Sequence, residues 1–277
     1  MAVLALAASG CGVRPGETTT GASAADLEHV HGLAEAPEGG SYVATHTGLF
    51  EVDGDQVQRI GDATHDLMGF TVAGPDDLLA SGHPDLRDRS LQVNGKPPLL
   101  GLVQSSDGVQ WEPLSLLGDA DFHNLVAAHG RVYGSDSTSG RFMVSEDRKT
   151  WETRAEQLAL YDFAVSPDGP ETIVGSGEGG IGRSEDGGRT WEAVSDGSYV
   201  FLSWTDQGLF GVDPNGQVAV SEDAGTTWQP RGSVEGTPEA LLVTEDAVYV
   251  AVFEVGIARS DDEGRTFEVT VPTGTGE

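Results

Sequence analysis

The segment Ser184–Trp191, which reads Ser-Glu-Asp-Gly-Gly-Arg-Thr-Trp, decides the fold because versions of it occur five times along the chain. The last three copies share the pattern Ser-x-Asp-x-Gly-x-Thr followed by an aromatic residue, and the first two are degenerate. The other four copies are 105–111, 145–151, 221–228 and 260–267. The aromatic residues of the five copies are 40, 40, 37 and 39 residues apart, which is the length of one four-stranded blade of a β-propeller.

Each copy is typical of a tight turn between two strands. Its serine hydroxyl and aspartate carboxylate can accept hydrogen bonds from backbone N–H groups, and its glycine adopts a positive φ without steric cost. The aromatic side chain would pack the turn against its blade. We therefore interpret the copies as structural hairpins between the third and fourth strands, and not as the catalytic elements of the sialidases that also carry such turns.

A sixth blade, without this turn, is predicted upstream of the first copy. Its strands would be His29–Leu33, Tyr42–His46, Gly48–Val52 and Val57–Ile60. The 39 glycines fit a chain with many tight turns between short strands. The sequence therefore predicts an all-β, six-bladed β-propeller over residues 27–272, followed by a tail of residues 273–277.

The charge of the chain restricts its partners. It has 45 acidic and 15 basic side chains, which give a formal net charge of −30. Binding to a phosphate backbone needs a basic face, so nucleic acid is excluded as the natural partner. The same negative charge would raise the local concentration of cations.

The beginning of the chain predicts a lipid anchor. Residues 1–11 are an apolar run that ends in Cys11, the single cysteine, and the context Ala8-Ser9-Gly10-Cys11 resembles a bacterial lipobox. An ordinary signal peptide is the alternative. Because no Lys or Arg precedes the run, we expect the true translation start to lie upstream. Residues 12–26 are predicted to be a flexible linker, so we expect an extracytoplasmic protein that touches the membrane only through its lipid.

Histidines are concentrated at one end of the predicted propeller. Alignment of the repeats within the chain places six of the seven histidines where inner strands begin or second strands end, namely His29, His31, His46, His65, His83 and His123. His129 falls in a turn at the other end. The same alignment matches Met68, His123, Asp162 and Glu239 with His31, and Asp66 and Asp121 with His29.

Three interpretations of this end remain open. Imidazole, thioether and carboxylate groups together suit copper or zinc, with the ligands drawn from His29, His31, His46, Met68, His83 and His123. In the second interpretation the six histidines bind a small molecule or a glycan, or simply line a water-filled channel. In the third interpretation the protein is a hydrolase, with Asp66, Asp162 and Glu239 as candidate acid and base.

The repeated turns, the segment His29–Leu33 and the stretch from Asp66 to Pro84 also carry a family resemblance. The chain resembles the actinobacterial, lipid-anchored Asp-box (BNR-repeat) propellers that are catalogued as glycosyl-hydrolase-like or exo-sialidase-like, and more distantly the sortilin-type propellers. The resemblance implies the propeller fold, a location outside the cytoplasm and a glycoside hydrolase activity.

The arginines do not match the site of a sialidase, which clamps its substrate carboxylate with three arginines. Arg183 and Arg259 come directly before turn serines and therefore belong to the opposite end of the propeller. Together with the negative net charge, this favours a neutral glycan over sialic acid as a substrate. A scaffold for another envelope protein is a further alternative.

Overall fold

Each repeat folds into one antiparallel sheet, because short apolar runs alternate with Gly- and Asp-rich turns that reverse the chain. In the computed structural model, which describes residues 19–37 and 39–273, six such sheets surround a central axis. The fold is thus an all-β, six-bladed β-propeller, as predicted. Among the described residues the only helical element is a short 3-10 turn at Ala24–Asp26.

The strands are numbered along the chain, and consecutive strands form each blade. Blade 1 contains β1 (Thr19–Gly21), β2 (Val30–Glu35), β3 (Ser41–Thr45), β4 (Gly48–Asp53) and β5 (Gln56–Ile60). Blade 2 contains β6 (Asp66–Gly74), β7 (Asp77–His83), β8 (Leu102–Ser105) and β9 (Glu112–Ser115). Blade 3 contains β10 (Phe122–Ala128), β11 (Arg131–Asp136), β12 (Arg141–Ser145) and β13 (Glu152–Ala155).

The second half of the ring repeats this arrangement. Blade 4 contains β14 (Leu160–Val165), β15 (Ile173–Gly177), β16 (Gly180–Ser184) and β17 (Glu192–Ser195). Blade 5 contains β18 (Phe201–Thr205), β19 (Gly208–Val212), β20 (Gln217–Ser221) and β21 (Gln229–Ser233). Blade 6 contains β22 (Pro238–Val243), β23 (Val248–Val252), β24 (Gly256–Ser260) and β25 (Glu268–Pro272).

The ring closes by hydrophobic packing between its last and first blades. Each inner strand contacts the inner strands of the neighbouring blades, and β22 of blade 6 contacts β2 of blade 1. Leu27, Val43 and Phe50 are buried against Ala240 and Ile257 in this closing seam. The inner strands leave a channel of about 490 Å³ along the axis.

The repeated segment forms the turn between the third and fourth strands, as predicted. In blade 4, Gly188 N donates a hydrogen bond to Ser184 Oγ at 2.8 Å, and Ser184 Oγ donates to Asp186 Oδ1 at 2.9 Å. Hydrogen bonds from the backbone and hydroxyl groups of Thr190 lower the pKa of Asp186 to about 2. Trp191 closes the turn, because its Nε1 donates to Gly188 O at 3.1 Å.

The chain enters blade 1 through a strand that we had assigned to the linker of residues 12–26. β1 pairs antiparallel with β5, with Thr19 opposite Ile60. The 3-10 turn that follows contacts β25 of blade 6. Residues Thr19–Gly21, which fall within the predicted linker, therefore belong to the sheet of blade 1.

Other expectations about the ends of the chain concern residues that lie outside the described part. These are the signal peptide with its lipidated Cys11, the start of the linker and the last four residues of the tail. Within the described ranges, the structure contains no helix with the length and apolar character needed to cross a bilayer.

Candidate metal centre

Five of the six inner strands carry a β-bulge near their first residue, and all five bulges lie at the same end of the propeller. At each bulge one residue of the inner strand has no partner on the second strand, and these residues are His31, Met68, His123, Tyr161 and Glu239. Bulges often redirect side chains beside functional sites. We call this end, where inner strands begin and second strands end, the mouth.

The bulges test the internal alignment of the repeats. The alignment matched His31 with Met68, His123 and Glu239, and all four are bulge residues. In blade 4 the structure differs by one position, because Tyr161 and not Asp162 is the bulge residue. A slip of one residue reverses the side of the strand on which a side chain lies, so Asp162 has a different environment from the other members.

Asp66 is the centre of the histidine cluster at the mouth. Its Oδ1 lies 3.2 Å from His31 Nε2, and its Oδ2 lies 3.2 Å from both His46 Nδ1 and His83 Nδ1. The side chain of Asp66 is only 15% exposed. Burial alone would raise the pKa of Asp66, but the three histidines hold it below its usual value. Asp66 therefore stays ionised and gathers imidazoles from blades 1 and 2.

The fold brings these four residues together through the antiparallel pairing of inner and second strands. His31 is the bulge residue of β2, and His46 follows the end of β3, where its N–H donates to His29 O at 3.1 Å. Asp66 and His83 lie directly opposite each other on β6 and β7. The cluster thus depends on two adjacent blades of the ring.

His31, His46 and Asp66 form a group that could hold a metal ion. One ligand atom from each of them lies within 4.8 Å of the other two. His31 Nε2 and Asp66 Oδ1 are buried, yet neither forms a hydrogen bond to another described residue. Buried polar atoms are nearly always satisfied in folded proteins, so this pair requires an explanation.

A second buried carboxylate, Asp121, lies beside the first. Its Oδ2 is 3.0 Å from His123 Nε2 and 3.7 Å from His83 Nε2, and Ser137 Oγ donates to it at 3.1 Å. Burial favours the neutral form, but His123, His83 and Ser137 hold the pKa of Asp121 below its usual value. The hydrogen bond to Asp121 in turn raises the pKa of the His123 imidazole. His83 therefore connects the two carboxylates.

Asp121 was not predicted to be a site residue, although the alignment of the repeats placed it in the same ring as His29 and Asp66. Asp121 is two residues before His123, just as His29 is two residues before His31 and Asp66 two residues before Met68. The alignment gave its position but not its contacts with His123 and His83.

His29 occupies the edge of the mouth. It has a φ of 49° and an exposed ring, which stacks on Phe253 at a centroid distance of 5.2 Å. Its Nδ1 lies 3.5 Å from Glu239 Oε1, and its ring is 6.3 Å from that of His46. His29, Glu239 and Phe253 line a groove of about 550 Å³ at the seam between blades 6 and 1. His29 thus neighbours the cluster without contacting Asp66.

Two of the three carboxylates predicted as acid and base bind the backbone of neighbouring blades. Asp162 accepts hydrogen bonds from Leu202 N of blade 5 at 2.8 Å and from Asn124 Nδ2 of blade 3 at 3.1 Å. Burial raises the pKa of Asp162 to about 7. Glu239 Oε2 accepts from Val30 N of blade 1 at 3.3 Å, and burial raises its pKa as well. These contacts join blades, which is a structural role.

Of the remaining histidines and Met68, only Met68 lies at the mouth. His65 is buried away from the cluster, where its Nδ1 accepts a hydrogen bond from Asp85 N at 2.9 Å. Burial lowers the pKa of His65, which fits a neutral structural imidazole. Met68 is half-buried at its bulge. His129 lies in the turn between β10 and β11 at the opposite end, as predicted.

Comparisons with known proteins show the fold. No protein-family model matches the sequence, and no curated protein matches it significantly. The chain is similar to a structure of the nidogen/laminin complex, with a TM-score of 0.64 and 11% identity over 82% of this chain and 90% of that chain. It is also similar to the WD40 β-propeller domain of Doa1 (TM-score 0.56, 10% identity, 87% and 81% covered).

A glycoside hydrolase is among the similar structures. An ancestral GH74 enzyme matches with a TM-score of 0.54 and 14% identity over 89% of this chain, but over only 38% of the enzyme. At such identities the similarity shows the β-propeller fold alone. The chain is therefore related in architecture to β-propellers, and its resemblance to the lipid-anchored Asp-box proteins stays a prediction.

Proposed function

We propose that the protein binds one divalent transition-metal ion, copper or zinc, at the mouth through His31, His46 and Asp66. The observation that carries the proposal is the buried pair of His31 Nε2 and Asp66 Oδ1, which lie 3.2 Å apart, at ion-pair distance, in a geometry that makes no hydrogen bond. His46 Nδ1 lies equally close to the other oxygen of the same carboxylate. One cation bound by these groups would coordinate both buried atoms.

The donor set and its spacing fit such an ion. Bonds of about 2.05 Å in a tetrahedral site place neighbouring ligand atoms about 3.3 Å apart. His31 Nε2 lies 3.2 Å from Asp66 Oδ1 and His46 Nδ1 lies 3.2 Å from Asp66 Oδ2, and one ligand atom of each of the three residues lies within 4.8 Å of the other two. Imidazole with carboxylate is a common ligand set for zinc and copper, whereas calcium and magnesium prefer oxygen ligands alone. The net charge of −30 further favours a cation.

Exposure of the ligands bears on the role of the ion. His46 is 59% exposed, so one side of the site is open to solvent. A structural metal is usually enclosed by four protein ligands, whereas an open site exchanges its ion or leaves a position for another molecule. We therefore propose an exchangeable ion and a protein that acts by holding or passing on the metal.

Metal uptake by the purified chain tests this proposal. We expect about one equivalent of bound zinc or copper in equilibrium dialysis against a defined free metal concentration, measured by elemental analysis. At a free metal concentration 100 times the Kd, the folded state gains about 2.7 kcal/mol, which raises the Tm by roughly 5–10 °C. His31→Gln and His46→Gln should each abolish this shift. His129→Gln is the matched control, because that histidine lies at the opposite end.

Two outcomes would contradict metal binding at the mouth. A wild type that binds no metal in equilibrium dialysis, or that binds no more than both mouth variants do, would refute binding at this site. Loss of metal in His129→Gln as well would mean that the histidines act nonspecifically.

We also propose that the protein is lipid-anchored outside the cytoplasm through Cys11. The support is the sequence context Ala8-Ser9-Gly10-Cys11 at the end of an apolar run. Incorporation of a labelled fatty acid into the wild type but not into Cys11→Ser, with release of the variant from the membrane fraction, is the expected result. Equal labelling of both chains, or a soluble wild type, would contradict the anchor.

A further inference from the structure

A groove at the mouth lies on the seam between blades 6 and 1, and we call it the seam groove. Its volume of about 550 Å³ is within the usual range of small-molecule sites. Three of its lining residues are acidic, and none of them is Lys or Arg. The acidic residues are Glu28, Glu239 and Glu254, and the apolar walls include Leu27, Val30, Val252, Phe253 and Ile257. Acidic groups beside apolar walls suit a cation that has an apolar body.

Phe253 gives the seam groove an aromatic surface that a ligand can reach. It is 38% exposed, although most large apolar side chains of the propeller are buried. The His29 ring stacks against it at a centroid distance of 5.2 Å and an interplanar angle of 27°, which orients Phe253 without covering it. A cation is attracted both to the face of an aromatic ring and to nearby carboxylates. Phe253 and the three carboxylates therefore favour the same charge in a ligand.

Two residues that line the seam groove have spare capacity to accept hydrogen bonds. Glu239 Oε2 accepts the N–H of Val30 at 3.3 Å, whereas the described contact of its Oε1 is with His29 Nδ1 at 3.5 Å. Thr273 Oγ1 is buried and has no hydrogen-bond partner within the described part of the chain. Buried polar atoms are nearly always satisfied, so this hydroxyl indicates a missing partner. Glu239 Oε1 and Thr273 Oγ1 would both accept N–H groups from a ligand.

We propose that the seam groove binds a small protonated amine, with Glu239 Oε1 and Thr273 Oγ1 as acceptors of its N–H groups and Phe253 against its apolar part. The exposed carboxylates of Glu28 and Glu254 attract the amine to the groove, as does the net charge of −30. None of the three proposed metal ligands lines this groove, so the amine site is separate from the metal site and does not depend on it. The same charges disfavour phosphates and carboxylates as ligands.

Three probes that share a phenylethyl group test the class of ligand. They are 2-phenylethylamine, its quaternary trimethylammonium analogue and the neutral 2-phenylethanol. Each is titrated by calorimetry at neutral pH into the full chain, after dialysis against EDTA and then against buffer. The amine should bind most tightly. The alcohol, which lacks the charge, should bind about 10–100-fold more weakly, and the quaternary ion, which lacks N–H donors, about 10-fold more weakly.

Variants with matched controls test the residues. Glu239→Gln keeps an oxygen for the backbone hydrogen bond of the seam but removes the charge, so the affinity for the amine should fall about 10–100-fold. Its control Glu178→Gln removes an exposed charge from a turn at the mouth of blade 4 and should leave the affinity unchanged. Phe253→Leu should weaken binding about 3–10-fold, whereas Tyr161→Leu, at another exposed aromatic residue of the mouth, should not. The Tm of each variant verifies folding; if Glu239→Gln does not fold, Glu254→Gln replaces it, with an expected loss of about 2–5-fold.

The contrary outcomes are distinguishable from failure of the metal site. No binding of 2-phenylethylamine at about 10 mM, well above a Kd of about 1 mM, refutes the amine site, as do equal affinities for the amine and the alcohol. A quaternary ion that binds as tightly as the amine overturns the role of N–H donors. Equal losses in Phe253→Leu and Tyr161→Leu would place the amine outside the seam groove. A chain that binds zinc but no amine refutes only the amine site, and a chain that binds the amine but no metal refutes only the metal site.

Discussion

Replacement of a turn serine by alanine should destabilise one blade and leave another nearly unaffected, because Ser184 Oγ accepts two backbone hydrogen bonds, from Asp186 N at 3.4 Å and from Gly188 N at 2.8 Å, and the described contacts of Ser145 Oγ include neither. Ser184 is buried, and its Oγ accepts the N–H of the buried Gly188 at 2.8 Å. In the degenerate copy of blade 3, Arg148 occupies the glycine position, and the described contact of Ser145 Oγ is a 3.3 Å hydrogen bond to Asp147. Ser145→Ala is therefore a matched control for Ser184→Ala.

The magnitude follows from the group that is left without a partner. Ser184→Ala leaves a buried N–H unsatisfied, which costs about 1–3 kcal/mol in the free energy of unfolding. For a domain of this size, about 2 kcal/mol corresponds to a decrease in Tm of roughly 4–8 °C. Ser145→Ala removes one long hydrogen bond and strands no donor, so we expect a loss of less than about 1 kcal/mol.

Urea unfolding followed by tryptophan fluorescence and circular dichroism, together with calorimetry, would measure both variants. Equal losses in Ser184→Ala and Ser145→Ala, or no loss in Ser184→Ala, would refute the idea that the serine acts by satisfying the glycine N–H. The repeats would then be held mainly by their aspartate and aromatic residues.

Three further predictions concern the seams between blades and the charge of the turns. Gly69→Ala should cost about 1–3 kcal/mol in unfolding experiments, because a Cβ there would collide with the backbone oxygen of Phe122 in the next blade; Gly74→Ala, with no atom within 4 Å of its Cβ, should be tolerated. Leu27→Ala should cost about 2–5 kcal/mol, since Leu27 is buried in the closing seam; a loss below about 1 kcal/mol would mean that the seam does not depend on it. The lowered pKa of Asp186, about 2 against 3.8, contributes stability that is present above about pH 4 and lost toward pH 2, so Asp186→Asn should flatten the pH dependence of unfolding between pH 4 and 2; an unchanged slope would contradict this.

The fold could be predicted from the sequence because its signal is local and repeated. The Ser-x-Asp turns and their spacing fix the number of strands in each blade, and the pattern of residues 29–60 supplied the first blade. The pairing of β1 with β5 was not predictable in this way, because Thr19–Gly21 has the composition of a linker and obtains its structure from the edge of blade 1. Edge pairing depends on a partner that is distant in sequence.

The site could be predicted only in part, because side-chain direction depends on the bulges. The internal alignment found His31, His46 and His83 but not the role of Asp66, which was taken for a catalytic carboxylate and contacts all three. His65 is the neighbour of Asp66 in sequence, and adjacent residues of an extended chain point to opposite sides. The position of His65 away from the mouth therefore follows from strand geometry. The prediction that six histidines share one end did not take this alternation into account.

The direction of β1 has a consequence for how the molecule would be oriented at a bilayer. Thr19 is paired with Ile60, the last residue of β5, from which the chain passes directly to Asp66; the described chain therefore begins beside the mouth and runs away from it. Eight residue steps separate Cys11 from Thr19 and reach at most roughly 28 Å. If Cys11 carries a lipid as proposed, this reach would keep the mouth side of blade 1 close to the membrane surface, and an ion released from the proposed site would emerge near the lipid headgroups.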